Sequence, residues 1–161
     1  MFALEKIIEL LVKNGINYIR YDHKPVITSE EADKIRPEYS LAQGSKALIL
    51  KIRYKKDKKY YIMVVIPGDK RLDNKKLRKA LKCKSFSFAD EGEVKEITKG
   101  VLPGGIPPFG NIFGLKVYVD PSLSENEDII FNAGDRSVSI AMNYKDWKNI
   151  VKPIIINVIS D

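Results

Sequence analysis

Apolar residues recur at helical spacing at the start of the chain: Leu4, Ile7, Ile8 and Leu11 share one face, while Glu5, Lys6, Glu9 and Lys13 lie elsewhere. Gly15 follows where a helix would close, so the spacing predicts an amphipathic helix over residues 2–13, docked by one side. Residues 16–21 alternate as a strand does. Thr28 with Glu31 three positions later forms a capping box and starts a short helix, which must stop before Pro37. Two β-rich runs, 46–53 and 60–66, are joined by the basic segment 54–59 and predict a hairpin with a solvated tip. Asp73 then caps a helix over 74–81, with Leu72 and Leu77 at hydrophobic-staple positions. A strand is expected over 84–88. Asp90 with Glu93 starts a helix that ends at Gly100. Strands follow at 115–119, 129–132 and 137–142. Asn143 and Asp146 repeat the capping pattern and put Trp147 inside a last short helix, before an apolar tail at 154–159 that forms a strand or packs on the core.

Strands thus come in groups with helices between them and no regular βαβ period. The expected class is α/β in the broad sense, a mixed α+β domain rather than a doubly wound one. The chain has 161 residues, 44% hydrophobic and 30% charged, which fits one domain over 1–161 with its own core. No apolar run approaches the ~20 residues that span a bilayer. The first residues mix acidic and basic side chains, unlike a signal peptide, so the expected address is cytoplasmic and no membrane partner is implied. A net charge of +7 favours a polyanionic partner, of which nucleic acid is the commonest. Lys75, Lys76, Arg78, Lys79 and Lys82 give the helix over 74–81 a basic outer side suited to a phosphate backbone.

The candidate chemistry starts from residues 100–110, which hold four of the ten glycines and three of the eight prolines. Such a loop has a defined shape and can turn main-chain N–H groups toward an anion or a developing oxyanion; it can equally be only a rigid turn. Lys46 opens an apolar run, where its ammonium can face a cleft and hold a phosphate or simply snorkel at a strand end. One histidine, His23, and no Gly-x-Ser-x-Gly elbow disfavour a Ser–His hydrolase. The single cysteine, Cys83, excludes an internal disulfide; flanked by Lys82 and Lys84, it could have a lowered pKa and act as a nucleophile, or simply be packed. One histidine and one cysteine leave little for a metal.

These pieces occur in a characteristic order: Tyr21-Asp22-His23, then Thr28, Glu30, Glu31 and Ala32, then Lys46-Ala47-Leu48. Val64-Val65-Ile66-Pro67-Gly68-Asp69 follows, with Leu72, Asp73, Lys76 and Leu77. Gly104-Gly105-Ile106-Pro107-Pro108-Phe109-Gly110 and Asn132-Ala133-Gly134-Asp135-Arg136 complete the series. The succession resembles the YbaK/prolyl-tRNA-synthetase-associated editing domain family, the free-standing aminoacyl-tRNA deacylases, over residues 2–150. The resemblance implies a compact domain with a mixed, barrel-like sheet flanked by helices. It also implies hydrolysis of the ester joining a wrong amino acid to the end of a tRNA, often tRNA-Pro. No metal or organic cofactor is implied, and the implied partners are a mischarged tRNA and an aminoacyl-tRNA synthetase. By position, Lys46, Gly104, Gly105 and Pro108 take the catalytic places, and Tyr21, His23, Thr28, Ile106, Pro107, Gly134 and Asp135 those around the substrate. Where many members carry Gly-Leu-Asp after the late glycine turn, this chain has Ser137-Val138-Ser139. An acidic residue is therefore absent at Ser139, with Asp135 the carboxylate nearby in sequence. The rival readings are a catalytically inactive tRNA-binding module of the same fold, and a small-molecule hydrolase using Cys83.

Overall fold

The computed structural model describes residues 2–55 and 58–161. The tip of the expected hairpin, Lys56 and Asp57, lies outside them. Five helices, α1 (Phe2–Lys13), α2 (Ser29–Ile35), α3 (Asn74–Leu81), α4 (Glu91–Ile97) and α5 (Tyr144–Val151), are described. Between and after them run eight strands, singly or in groups: β1 (Tyr18–Asp22), β2 (Ser45–Lys55), β3 (Lys58–Pro67), β4 (Ser85–Phe88), β5 (Lys116–Val119), β6 (Asp128–Asn132), β7 (Val138–Asn143) and β8 (Ile154–Ile155). The mixed α+β class read from the sequence is the observed one. The barrel-like sheet is realised differently, as two sheets that do not close. One is antiparallel in the order β1-β7-β6; the other is mixed, β4-β2-β3-β5-β8, with β5 and β8 parallel to their neighbours. A parallel bridge between Gly44 and Ile130 ties the start of β2 to β6.

Local chemistry explains the helix starts. Thr28 Oγ1 accepts from the Glu31 N–H at 3.1 Å, Asp73 from Lys76 at 3.0 Å, and Asn143 from Lys145 and Asp146. Asp90 and Glu93 form the reciprocal box at the start of α4. Glu31 departs from the expected box, because its carboxylate reaches back to the N–H of Ile27 and not of Thr28. Helix α4 ends at Ile97, earlier than expected; Gly100, at φ +101°, turns the chain into the Gly/Pro loop.

The β2–β3 hairpin is apolar on both faces because both are covered. Ile49, Met63 and Val65 join the main core with Ile7, Leu11, Phe131 and Trp147. Leu50, Ile52, Ile62, Val64 and Ile66 form a second core under Leu77 and Leu81 of α3, closed by Val158. The tail therefore does both things expected of it: β8 adds a short strand, and Val158 packs. Cys83 packs against this second core. The site lies at the other end of the hairpin, where β2 begins.

Candidate active site

A cavity of about 320 Å³ opens where α2, the segment leading into β2, the Gly/Pro loop and the end of β6 meet. Its wall brings together four residues marked in the sequence: Thr28, Lys46, Gly104 and Ile106. Each arrives by a different route. Thr28 caps α2, and Lys46 sits opposite Ile66 in the second pair of the β2–β3 ladder. Gly104 is forced by packing: at φ +86°, a Cβ there would stand 2.6 Å from the Ile27 Cα, so only glycine lets the loop touch the backbone before α2.

The loop is anchored on three sides. The Gly104 carbonyl accepts from Asn132 Nδ2, the Gly105 carbonyl from the Gly134 N–H at 2.9 Å, and the Pro108 carbonyl from Trp147 Nε1 at 2.9 Å. The Gly105 N–H is used internally, on the Leu102 carbonyl at 3.0 Å. Among the described residues the N–H groups of Gly104 and Ile106 have no such bond. Pro107 and Pro108 are buried and, lacking N–H groups, fix the course of the loop.

The Lys46 Nζ donates to the Lys70 carbonyl at 2.9 Å, and half-burial pushes its pKa down against the pull of Glu30 and Asp69. Behind the wall runs a chain of polar contacts. The His23 Nδ1 lies 2.7 Å from the Lys24 carbonyl, which can only accept; in the neutral ring Nε2 then accepts from the Ser139 hydroxyl at 2.6 Å. Ser139, fully buried, also receives Arg36 Nη1 at 2.9 Å and stands 3.3 Å from Asn132 Oδ1. The position where the resemblance marks an acidic residue as absent thus holds a hydroxyl that links a histidine to an arginine. Tyr21 pairs with Ser139 across the β1–β7 ladder, and its hydroxyl meets that of Tyr39 at 2.8 Å. Burial and that hydrogen bond push the Tyr39 phenol up to about 12, so it stays neutral.

Tyr21, His23, Gly105, Pro107, Pro108, Gly134 and Asp135 do not line the cavity. Tyr21 reaches it through Tyr39, and His23 through Ser139 and then Arg36. Gly134 packs on α1, where a Cβ would come 2.7 Å from that of Ala3. The Asp135 carboxylate accepts from the Ser137 hydroxyl and N–H within its own turn, and these bonds hold its carboxyl below the usual range. The thiolate reading of Cys83 is corrected: burial pushes the thiol up, the opposite of activation, and the residue lies outside the cavity. Sequence reasoning assigned no site role to Arg36, Tyr39 or Ser45, nor to Asn132, which it marked only as part of a motif; all four lie on the wall. It also set aside a histidine–serine contact that a search for local motifs cannot find.

Residues 23–150 match the model of the aminoacyl-tRNA editing domain. The chain belongs to that family, and this places it among the enzymes that edit aminoacyl-tRNA. It is 30% identical over 154 residues to the multifunctional Ser/Thr-tRNA deacylase ProXp-y of Escherichia coli K12, covering 95% of this chain and 90% of that one. It is also 30% identical over 156 residues to the prolyl-tRNA editing protein ProX of Acetoanaerobium sticklandii, covering 94% and 92%. The crystal structure of hypothetical protein APE2540 superposes with a TM-score of 0.83 at 22% identity, over 96% of this chain and 99% of that one, a likeness of fold.

Proposed function

We propose that this protein acts in trans on a mischarged tRNA, removing a small amino acid from tRNA-Pro or a similar tRNA. The observation that carries the reading is the meeting of Lys46, Thr28, Gly104 and Ile106 on one cavity wall. The ester is already reactive, so no strong nucleophile is required. Water attacks the carbonyl with help from the ribose 2′-OH of the substrate. The Gly104 and Ile106 N–H groups, free of bonds within the described chain, suit the oxygen on which charge develops. Lys46, steered by the Lys70 carbonyl, holds the acceptor end in place and transfers no proton. A volume of about 320 Å³ is at the low end for ligand sites, ~300–1,000 Å³, which favours a small acyl group. The names of the relatives, a Ser/Thr-tRNA deacylase and a prolyl-tRNA editing protein, support the same class of substrate. A synthetase that supplies the mischarged tRNA is the natural partner.

The test is deacylation of a panel of Ala-, Cys-, Ser-, Thr- and Pro-tRNA, with Lys46→Ala beside the wild type. We expect turnover of one or a few small esters, and a loss of about 10²-fold in kcat/KM for the variant, the size of effect that follows from misplacing a substrate. No turnover, with tRNA still bound in a salt-dependent way, would replace this reading with the binding module.

A further inference from the structure

Arg36 is left unfinished by the fold. It stands at the C-terminal cap of α2 and is only 7% exposed, yet it lines the cavity. Its Nη1 has Ser139 as partner, and its buried Nε has none. Among the described residues it forms no ion pair; Asp33 and Glu38 act on it through space only. A guanidinium keeps its charge, so burying it with empty donors is unfavourable in the empty pocket. A second atom tells the same story: Ser45 Oγ, on the same wall, is buried without a partner. Two orphaned polar atoms on residues lining one cavity mark a wall whose hydrogen bonding the chain itself leaves incomplete.

The geometry points to Arg36 as an oxyanion-binding group of this pocket. Resting on the deacylase reading, two parts of the substrate have that chemistry: the phosphate of the terminal nucleotide, and the ester oxygen that becomes negative during attack. A planar guanidinium suits either, because it offers parallel N–H donors to a pair of oxygens. With the Gly105 N–H committed to Leu102, it also supplies a charged donor where the loop offers fewer than expected. Glu30 and Asp33 on the same wall carry the opposite sign, which suits the α-ammonium of an aminoacyl ester.

The experiment titrates adenosine 5′-monophosphate and adenosine into wild type, Arg36→Gln and Arg36→Lys, and measures deacylation by each. If the phosphate is the ligand, wild type binds the monophosphate at least about tenfold more tightly than adenosine, and Arg36→Gln removes the gap while leaving adenosine unchanged. If the ester oxygen is the ligand, there is no gap, and kcat falls about 10²-fold or more in Arg36→Gln at unchanged KM. Arg36→Lys, which keeps the charge but loses the fork, shows a smaller loss on the same measure and carries the test should the glutamine variant not fold. Folded variants with neither effect overturn the inference and leave the deacylase reading standing. A wild type that turns over no ester but shows an Arg36-dependent gap does the reverse. With neither turnover nor gap, both fall.

Discussion

Asp120 and Arg36 are both buried charges, one 1% and the other 7% exposed, and the chain treats them in opposite ways. Asp120 caps the 3₁₀ turn Pro121–Glu125. One carboxylate oxygen accepts from the Ser122 N–H and hydroxyl, at 2.9 and 2.6 Å; the other accepts from the Val158 N–H at 2.8 Å, pinning the C-terminal tail. Arg36 has one hydroxyl and an empty Nε. Both pay desolvation, but only Asp120 recovers it from its own chain. A charge saturated internally belongs to the fold, whereas one left unsaturated beside a cavity is held for something that arrives later.

The sharpest way to break this comparison is Asp120→Ala. It strands the buried Val158 N–H and the half-buried Ser122 N–H, and frees the tail that closes the second core. Urea unfolding should show a loss of about 3–5 kcal/mol, the range for removing one partner of a buried charged network. A loss below about 1 kcal/mol would mean that Asp120 is no more structural than an ordinary surface cap.

Glu93 lies between the two extremes and gives a smaller, pH-dependent effect. Its carboxylate accepts from the Tyr61 hydroxyl, pairs with Lys51 at 2.9 Å and takes the Asp90 N–H. These partners, Tyr61 foremost, hold its pKa down at about 2 against an ordinary 4.5. The folded value is depressed, so the stabilisation is fully present above about pH 4.5 and is lost as pH falls toward about 2. Glu93→Gln keeps the capping acceptor and removes the charge. Its urea midpoint should sit below wild type near neutral pH, and the two curves should converge as the acid limb is descended. Parallel curves down to about pH 2 would show that the ionised carboxylate adds nothing.

What could be read in advance divides along the same line. The caps at Thr28, Asp73, Asp90 and Asn143 were legible because each bond spans two or three residues, a distance the sequence displays directly. Lys46 and Gly104 became site candidates through the ordered motifs of the family resemblance; by local pattern alone a lysine opening an apolar run can snorkel and a Pro-rich loop can be only a turn. Arg36 was not legible, since a basic residue ending a helix just before Pro37 reads as an ordinary terminus. Its burial depends on Ser139, 103 positions away, which β7 brings behind α2. The His23 contact with Ser139 spans 116 positions and exists only because β1 pairs with β7. Cys83 misled for the converse reason: its lysine neighbours are adjacent in sequence, but burial decides the sign of its shift.

The smallest effect is also the most discriminating. Arg36→Gln should leave the urea midpoint nearly where it is, within about 1 kcal/mol of wild type in either direction. The amide ends near where the Arg36 Nε now stands, so Ser139 Oγ gives up one donor but keeps its His23 contact; the uncompensated cation is gone, and the stem that packs in the wall is mostly kept. A buried charge needed by the fold cannot be removed so cheaply; one reserved for a ligand can. If Arg36→Gln instead costs as much as Asp120→Ala, the guanidinium is a strut of the wall, and the empty Nε records imperfect satisfaction rather than a vacancy awaiting an oxyanion. A variant that is equally stable but impaired toward its substrate fixes the opposite conclusion, because the loss then lies wholly in what the pocket receives.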